Sequence, residues 1–356
     1  MVTPPPDRND CEPHHAFDAI RKTDRPSTTA KHTVREAIGS HLASRSGGGV
    51  TREVAYLFPG QGSQFTGMGK DLYDIYPVAR RIFDQAARLV DFDIRSVCFE
   101  GPPAKLTQTR FSQPAIFVVS IAALEVLKSH SKSKILIPKF AAGLSLGEAT
   151  ALCAAGAISF EDGVRFVLSR GRFMDEAATE CPGLMAAVLG ADLPVVEEAC
   201  RITGAEVGNL NAPGQIIISG KKKNVELAIE KLRGMGASKV IPLDVSGGFH
   251  SSCMDSACRR IEQALKEVLI QQPKIPVVSN LTADVEESSE KIKQNLVWQM
   301  NHRTLWEDSM RYIIGKGIKT FIEFSPGKVL KGLLRKIDPT IETISLSALE
   351  DFHAID

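Results

Sequence analysis

The stretch Phe140-Ala-Ala-Gly-Leu-Ser-Leu-Gly-Glu-Ala149 restricts the fold more than any other part of the chain. A short apolar run meets a glycine-flanked serine, and a helix-forming run follows. Gly143-Leu144-Ser145-Leu146-Gly147 fits the pattern G-x-S-x-G, in which the serine sits on a sharp strand-to-helix turn and the glycines let the backbone fold tightly. Ser145 then points its hydroxyl out of the turn. The helix from Leu146 to Ala155 aims backbone N–H groups and a positive dipole end at the same spot. A nucleophile beside anion-stabilising donors is what acyl transfer needs. The same residues also fit a Gly-rich turn without chemistry, so the pattern needs support from the rest of the chain.

The chain has 356 residues, 43% of them hydrophobic, which is enough for one large or two modest domains. Its net charge of +1 gives no global pull toward nucleic acid or membrane. Its 7 cysteines are odd in number and irregularly spaced, with no C-x-x-C, so neither a zinc site nor a disulfide framework is expected. A reducing compartment fits. The longest mostly apolar run, Ala115 to Leu124, is shorter than the roughly 20 residues that span a bilayer, and reads as a buried helix.

Residues 1–50 differ from the rest, with Pro4-Pro5-Pro6, scattered charges and Ser44-Arg-Ser-Gly-Gly-Gly49. They read as a disordered tail and linker with a short helix over 34–42. The acids Asp7, Asp10, Glu12, Asp18 and Asp24 argue against a targeting peptide. The globular part opens with a strand at Val54 to Phe58 and the loop Pro59-Gly-Gln-Gly-Ser-Gln64. Gly69-Lys70 is followed by Asp71, so the P-loop pattern fails, and the loop serves a site built elsewhere. Helical patterns run from Tyr73 to Leu89 and from Pro114 to His130. Ser159 opens another as a capping box, and this one carries Arg170-Gly171-Arg172. From Gly183 to Ser246 the order is β-α-β-β-α-β, that of a ferredoxin-like split unit. His250 follows a Gly pair on the loop leaving that unit and is the best base candidate to meet Ser145.

Four motifs now stand in order: F-P-G-Q-G-S-Q at 58–64, G-L-S-L-G-E at 143–148, S-R-G-R-F-M at 169–174 and G-F-H-S at 248–251. N-L-N-A-P-G-Q at 209–215 and S-P-G-K-V-L at 325–330 add to them. Together they closely resemble the malonyl-CoA:acyl carrier protein transacylases and the acyltransferase domains of fatty-acid and polyketide synthases, over residues 54–348. The resemblance implies an α/β fold, with an α/β-hydrolase-like large subdomain over 51–181 and 250–349 and an inserted ferredoxin-like one over 182–249. It implies Ser145 as nucleophile on malonyl-CoA, His250 as base, and the backbone N–H groups of Gln61 and Leu146 as the oxyanion hole. Arg170 aligns with the arginine that clamps the malonate carboxylate, a pairing that favours a diacid over acetyl or fatty acyl groups. Phe249 and Asn211 become pocket residues, with Phe249 opposing an α-methyl branch.

The sequence departs from the family in two places. Leu144 stands where many members have His, and Leu305 where a Gln often precedes the Trp and helps to orient the histidine. The second ring nitrogen of His250 then needs another acceptor, either a backbone carbonyl or Asn301. The expected partner is an acidic acyl carrier protein, with Lys221-Lys222-Lys223, Arg259-Arg260 and Lys331/Arg335/Lys336 as candidate contacts. No metal or redox cofactor is implied. The chain is expected to be a cytoplasmic monomer, or plastid or mitochondrial if the tail is a targeting peptide. A serine hydrolase and a non-catalytic docking module stand as alternatives. Arg170 speaks against the first, and the Ser145–His250 pair against the second.

Overall fold

The computed structural model describes residues 51–130 and 136–353, so the expected tail and its short helix lie outside the described residues. The chain enters through β1 (Arg52–Phe58), whose last five residues are buried, as a strand covered on both faces requires. One helix is expected from Tyr73 to Leu89; two form, α1 (Lys70–Ile75) and α2 (Pro77–Ala87). The residue before a proline is pushed out of the helical region, and Tyr76 sits at φ −103°, ψ 115°. Two short helices, Ile94–Phe99 and Pro103–Thr107, lead to α3 (Thr109–Ser129), which carries Pro114 inside it. The whole of α3 is long and apolar enough to cross a membrane, which corrects the reading made on Ala115–Leu124 alone. Yet 83% of its apolar window is buried inside the protein, and it serves as the central core helix.

β2 (Leu136–Gly143) leads through the serine turn into α4 (Leu146–Ala154), then α5 (Phe160–Glu180). Ser159 caps α5 by accepting the Asp162 N–H at 3.0 Å. Next come β3 (Gly183–Leu189), α6 (Leu193–Thr203), β4 (Glu206–Ala212), β5 (Gln215–Lys221), α7 (Lys222–Gly234) and β6 (Lys239–Pro242). A 3₁₀ turn (Ser252–Met254) precedes α8 (Asp255–Ala264), β7 (Val277–Val278), α9 (Ser289–Trp298), α10 (Trp306–Gly315) and β8 (Thr320–Phe324). α11 (Val329–Ile337) and β9 (Glu342–Leu346) follow the turn at Ser325–Gly327.

Two sheets result. One is parallel, in the order β7-β2-β1-β8-β9; the other is antiparallel, in the order β4-β5-β3-β6. β3 shows how they meet. Ala186 and Val188 pack under α6 and α7, whereas Met185 and Ala187 turn the other way into the core of the parallel sheet. Cys181 and Cys253, 72 residues apart, are disulfide-bonded with Cα atoms 5.3 Å apart, contrary to the expectation from spacing. The bond ties the segment entering the antiparallel sheet to the turn just beyond the segment leaving it.

Candidate active site

β1 and β2 pair in parallel up to Phe58 and Gly143, so their two loops leave side by side at the carboxyl edge of the sheet. That edge is where open parallel sheets bind ligands. The glycines of both loops are demanded by close passage. A Cβ on Gly143 would lie 1.9 Å from the Gly147 carbonyl, one on Gly147 2.1 Å from the Phe58 oxygen, and one on Gly60 2.5 Å from the Leu144 oxygen. Ser145 takes φ 52°, ψ −104°, a conformation that costs a non-glycine residue about 1–3 kcal/mol. Asn280, just beyond β7, holds it there. Its Oδ1 accepts the Ser145 N–H at 2.7 Å, and its Nδ2 donates to the Gly143 carbonyl at 2.7 Å.

His250 is brought to Ser145 from the loop leaving the antiparallel sheet. A Cβ on Gly248 would meet the Gly220 carbonyl oxygen at 2.6 Å, and one on Gly247 the Ala178 Cβ at 2.7 Å, which accounts for the glycines before Phe249. His250 Nε2 lies 2.8 Å from Ser145 Oγ, and Nδ1 lies 2.7 Å from the Gln299 carbonyl. A carbonyl only accepts, so Nδ1 carries the proton and Nε2 offers its lone pair to the serine hydroxyl. Burial first, and then the charge of Arg170, push the imidazole down to about 4. The ring is therefore neutral at ordinary pH, as a base must be. Leu305, by contrast, donates its N–H to the Asn280 carbonyl, and Asn301 donates to Asp255 at the surface. The acceptor is the backbone carbonyl at the C-terminus of α9, at the negative end of that helix.

Arg170 projects from the buried face of α5. Gly171 beside it packs against α3, where a Cβ would meet the Thr109 carbonyl at 2.8 Å. The guanidinium is 2% exposed, and its Nη2 donates to Ser145 Oγ at 3.1 Å and to Gln299 Oε1 at 2.9 Å. Its Nη1 finds no partner among the described residues. Burial lowers the group to about 10, which leaves it charged at neutral pH. A cavity of about 180 Å³ opens over these groups. Gln61, Leu146, Asn211 and Phe249 all line it, so the sequence-chosen nucleophile, base, oxyanion, carboxylate-binding and pocket residues reach one site. Leu146 is the first residue of α4, so its N–H has no partner within the helix. Asn211 Oδ1 is also without a partner among the described residues.

Of the cationic candidates, only α11 borders the cavity. Its Val329 and Leu333 line the wall, and Lys336 Nζ donates to Gln215 Oε1 of that wall at 2.7 Å. Arg260 is taken up by Glu176 and Glu180.

The family model described as acyl transferase domain matches residues 55–342. The chain belongs to the acyl transferase domain family. The malonyl CoA-acyl carrier protein transacylase of Bacillus subtilis is 44% identical over 300 residues, 83% of this chain and 93% of that one. That of Staphylococcus aureus is 40% identical over 304 residues, 84% of this chain and 97% of the other. Among solved structures, the acyl-carrier-protein S-malonyltransferase of Bartonella henselae matches with a TM-score of 0.81 at 37% identity, covering 85% of this chain and 98% of that one. A malonyl-transacylase solved with its type II acyl-carrier protein matches with a TM-score of 0.81 at 33% identity, again covering 85% and 98%.

Within this acyl transferase, Gln299 and Asn280 touch the Ser–His–Arg set and escaped sequence reasoning. Gln299 gives its carbonyl to His250 and its side chain to Arg170, and it also donates to the Ser145 carbonyl at 3.1 Å. Asn280 was passed over although it follows a strand of the parallel sheet, which is the signal that could have found it.

Proposed function

We propose that this acyl transferase moves the malonyl group from malonyl-CoA to the phosphopantetheine thiol of an acyl carrier protein, through a malonyl ester on Ser145. The observation that carries the reading is the buried guanidinium of Arg170, with Nη1 unpartnered beside the nucleophile. A buried guanidinium arm with no hydrogen-bond partner is costly, and a substrate that brings a carboxylate to it offsets that cost. Malonyl thioesters bring it; acetyl and fatty acyl thioesters do not.

His250 Nε2 takes the hydroxyl proton as Ser145 Oγ attacks the thioester carbon. The oxyanion rests on the N–H groups of Gln61 and Leu146. The C–S bond breaks, and His250 returns the proton to the departing CoA thiolate. The carrier-protein thiol then gives its proton to His250 and attacks the ester, and the proton passes back to Ser145 Oγ. The reading calls for no cofactor. Phe249 and Asn211 shape the acyl pocket, and α11 faces the incoming carrier protein or CoA.

The finer fold description belongs to the same reading. The antiparallel sheet is a ferredoxin-like subdomain over 182–249, set into a hydrolase-like subdomain over 51–181 and 250–349. We take the chain to act as a cytoplasmic monomer. The test is to supply labelled malonyl-CoA with and without holo carrier protein. Label should pass to the carrier as a thioester. Release of free malonate instead, at the same rate with or without carrier, would make the enzyme a hydrolase.

A further inference from the structure

Behind the nucleophile turn lies a pair of acids that the transfer steps do not use. Glu148 stands on the first turn of α4, three residues after Ser145, and is fully buried. Glu286 follows β7 and is 2% exposed. Each carboxyl acts on the titration of the other, and each keeps a buried oxygen with no partner among the described residues. Each has one oxygen already occupied. Glu148 Oε2 accepts the Asn280 N–H at 3.0 Å and Gln299 Nε2 at 2.7 Å, and Glu286 Oε2 accepts Asn295 Nδ2 at 2.9 Å. The other oxygen of each, Oε1, has no further partner among the described residues. Two carboxylates held together out of water cannot both ionise, so one proton sits between them.

The pair reaches the acylation site through a single amide. Glu148 and the Ser145 carbonyl both accept from Gln299 Nε2, at 2.7 and 3.1 Å. That fixes which end of the amide faces where, and leaves Gln299 Oε1 to receive Arg170 Nη2 at 2.9 Å. The charged groups acting on the pair are Arg170 from α5 and Lys291 from α9. His250 beside them is neutral.

The geometry points to Glu148 and Glu286 as a proton-sharing positioning pair that locks Gln299, so that Arg170 turns its free Nη1 toward a substrate carboxylate. This rests on the malonyl reading above. The pair carries one negative charge, which balances Arg170 before substrate arrives. Burial, then the charge of Glu286, push Glu148 well above the ordinary carboxylate range. Loss of the shared proton on the alkaline side sets two charges against each other and adds one beside the place where the substrate's own carboxylate docks.

The test measures acyl-enzyme formation by rapid quench, from malonyl-CoA and acetyl-CoA separately, without carrier protein, from about pH 6.5 to about pH 9.5. Wild type, Glu148→Gln and Glu148→Leu are compared, with thermal melts of each. In wild type, kcat/KM for malonyl-CoA should fall on the alkaline side of this range, approaching tenfold per pH unit, and more steeply than for acetyl-CoA. Glu148→Gln keeps a donor toward Glu286 that cannot ionise, so its malonyl profile should lack that alkaline limb. Glu148→Leu should raise KM for malonyl-CoA and shift the malonyl-to-acetyl preference by roughly tenfold or more. An unchanged limb in Glu148→Gln overturns the pair's role, as does a folded Glu148→Leu that loses both acyl groups equally. If Glu148→Leu does not fold, the Glu148→Gln profile decides alone. Failure of wild type to take malonyl at any pH would instead overturn the function on which the pair depends.

Discussion

Ser145 and His250 lie 105 residues apart in the chain and meet at 2.8 Å, each at a positive φ, 52° and 58°. The fold spends strain on both partners of one hydrogen bond. Neither conformation is stable in isolation. Asn280 holds the first, and the second is held by the His250 N–H donating to the Met300 carbonyl and by the ring on Gln299.

The first prediction concerns pH. His250 works as a neutral base, and its folded value of about 4 lies below the ordinary 6.5. The acid limb of kcat/KM for acylation should therefore fall well below pH 6, with activity lost as pH drops toward 4. A limb centred near 6.5 would contradict the burial of the imidazole. Stability carries the same sign. The unfolded histidine takes up a proton below about 6.5 while the folded one does not, so stability declines as pH falls from there toward 4.

Asn280→Ala removes two hydrogen bonds that clamp the serine turn, each worth about 0.5–1.5 kcal/mol. The Ser145 N–H and Gly143 carbonyl lose their partner inside the protein. Pre-steady-state acylation should slow by roughly ten- to a hundredfold, with KM for malonyl-CoA little changed. A large rise in KM with kcat intact would place Asn280 at the substrate instead.

Ser145, Arg170 and the His250 loop were legible because each sits in a short motif whose glycines answer a local backbone demand. Gln299 was not, because it serves His250 through a main-chain carbonyl, which any residue could supply. The resemblance pointed instead to Leu305, where a Gln often precedes the Trp. Glu148 was visible in G-L-S-L-G-E, but its partner Glu286 lies 138 positions on and is joined to it only by tertiary packing. The Cys181–Cys253 link was hidden for the same reason. The split at Tyr76 was legible in principle, since Pro77 marks it.

Gly147→Ala tests the turn from the other side. The added methyl would sit 2.1 Å from the Phe58 carbonyl oxygen, on a backbone with no room to retreat. Overpacking of this kind costs about 1–3 kcal/mol or more. The melting temperature should drop by several degrees, and acylation should fall with it. Gly234, in a helix where a Cβ meets nothing within 4 Å, is the control: Gly234→Ala should leave acylation unchanged and not lower the melting temperature.

The most direct measurement of the central claim is an acid-quench trap of the acyl-enzyme. Labelled malonyl-CoA and acetyl-CoA are offered separately to wild type, Ser145→Ala and Arg170→Ala. Malonyl label should remain on wild type and be absent from Ser145→Ala. Arg170→Ala should lose malonyl by about 2–5 kcal/mol of transition-state binding, roughly thirtyfold to several thousandfold, while its acetyl labelling holds or rises. Malonyl label that persists on Ser145→Ala, or an Arg170→Ala enzyme that keeps its preference for malonyl over acetyl, would contradict the account.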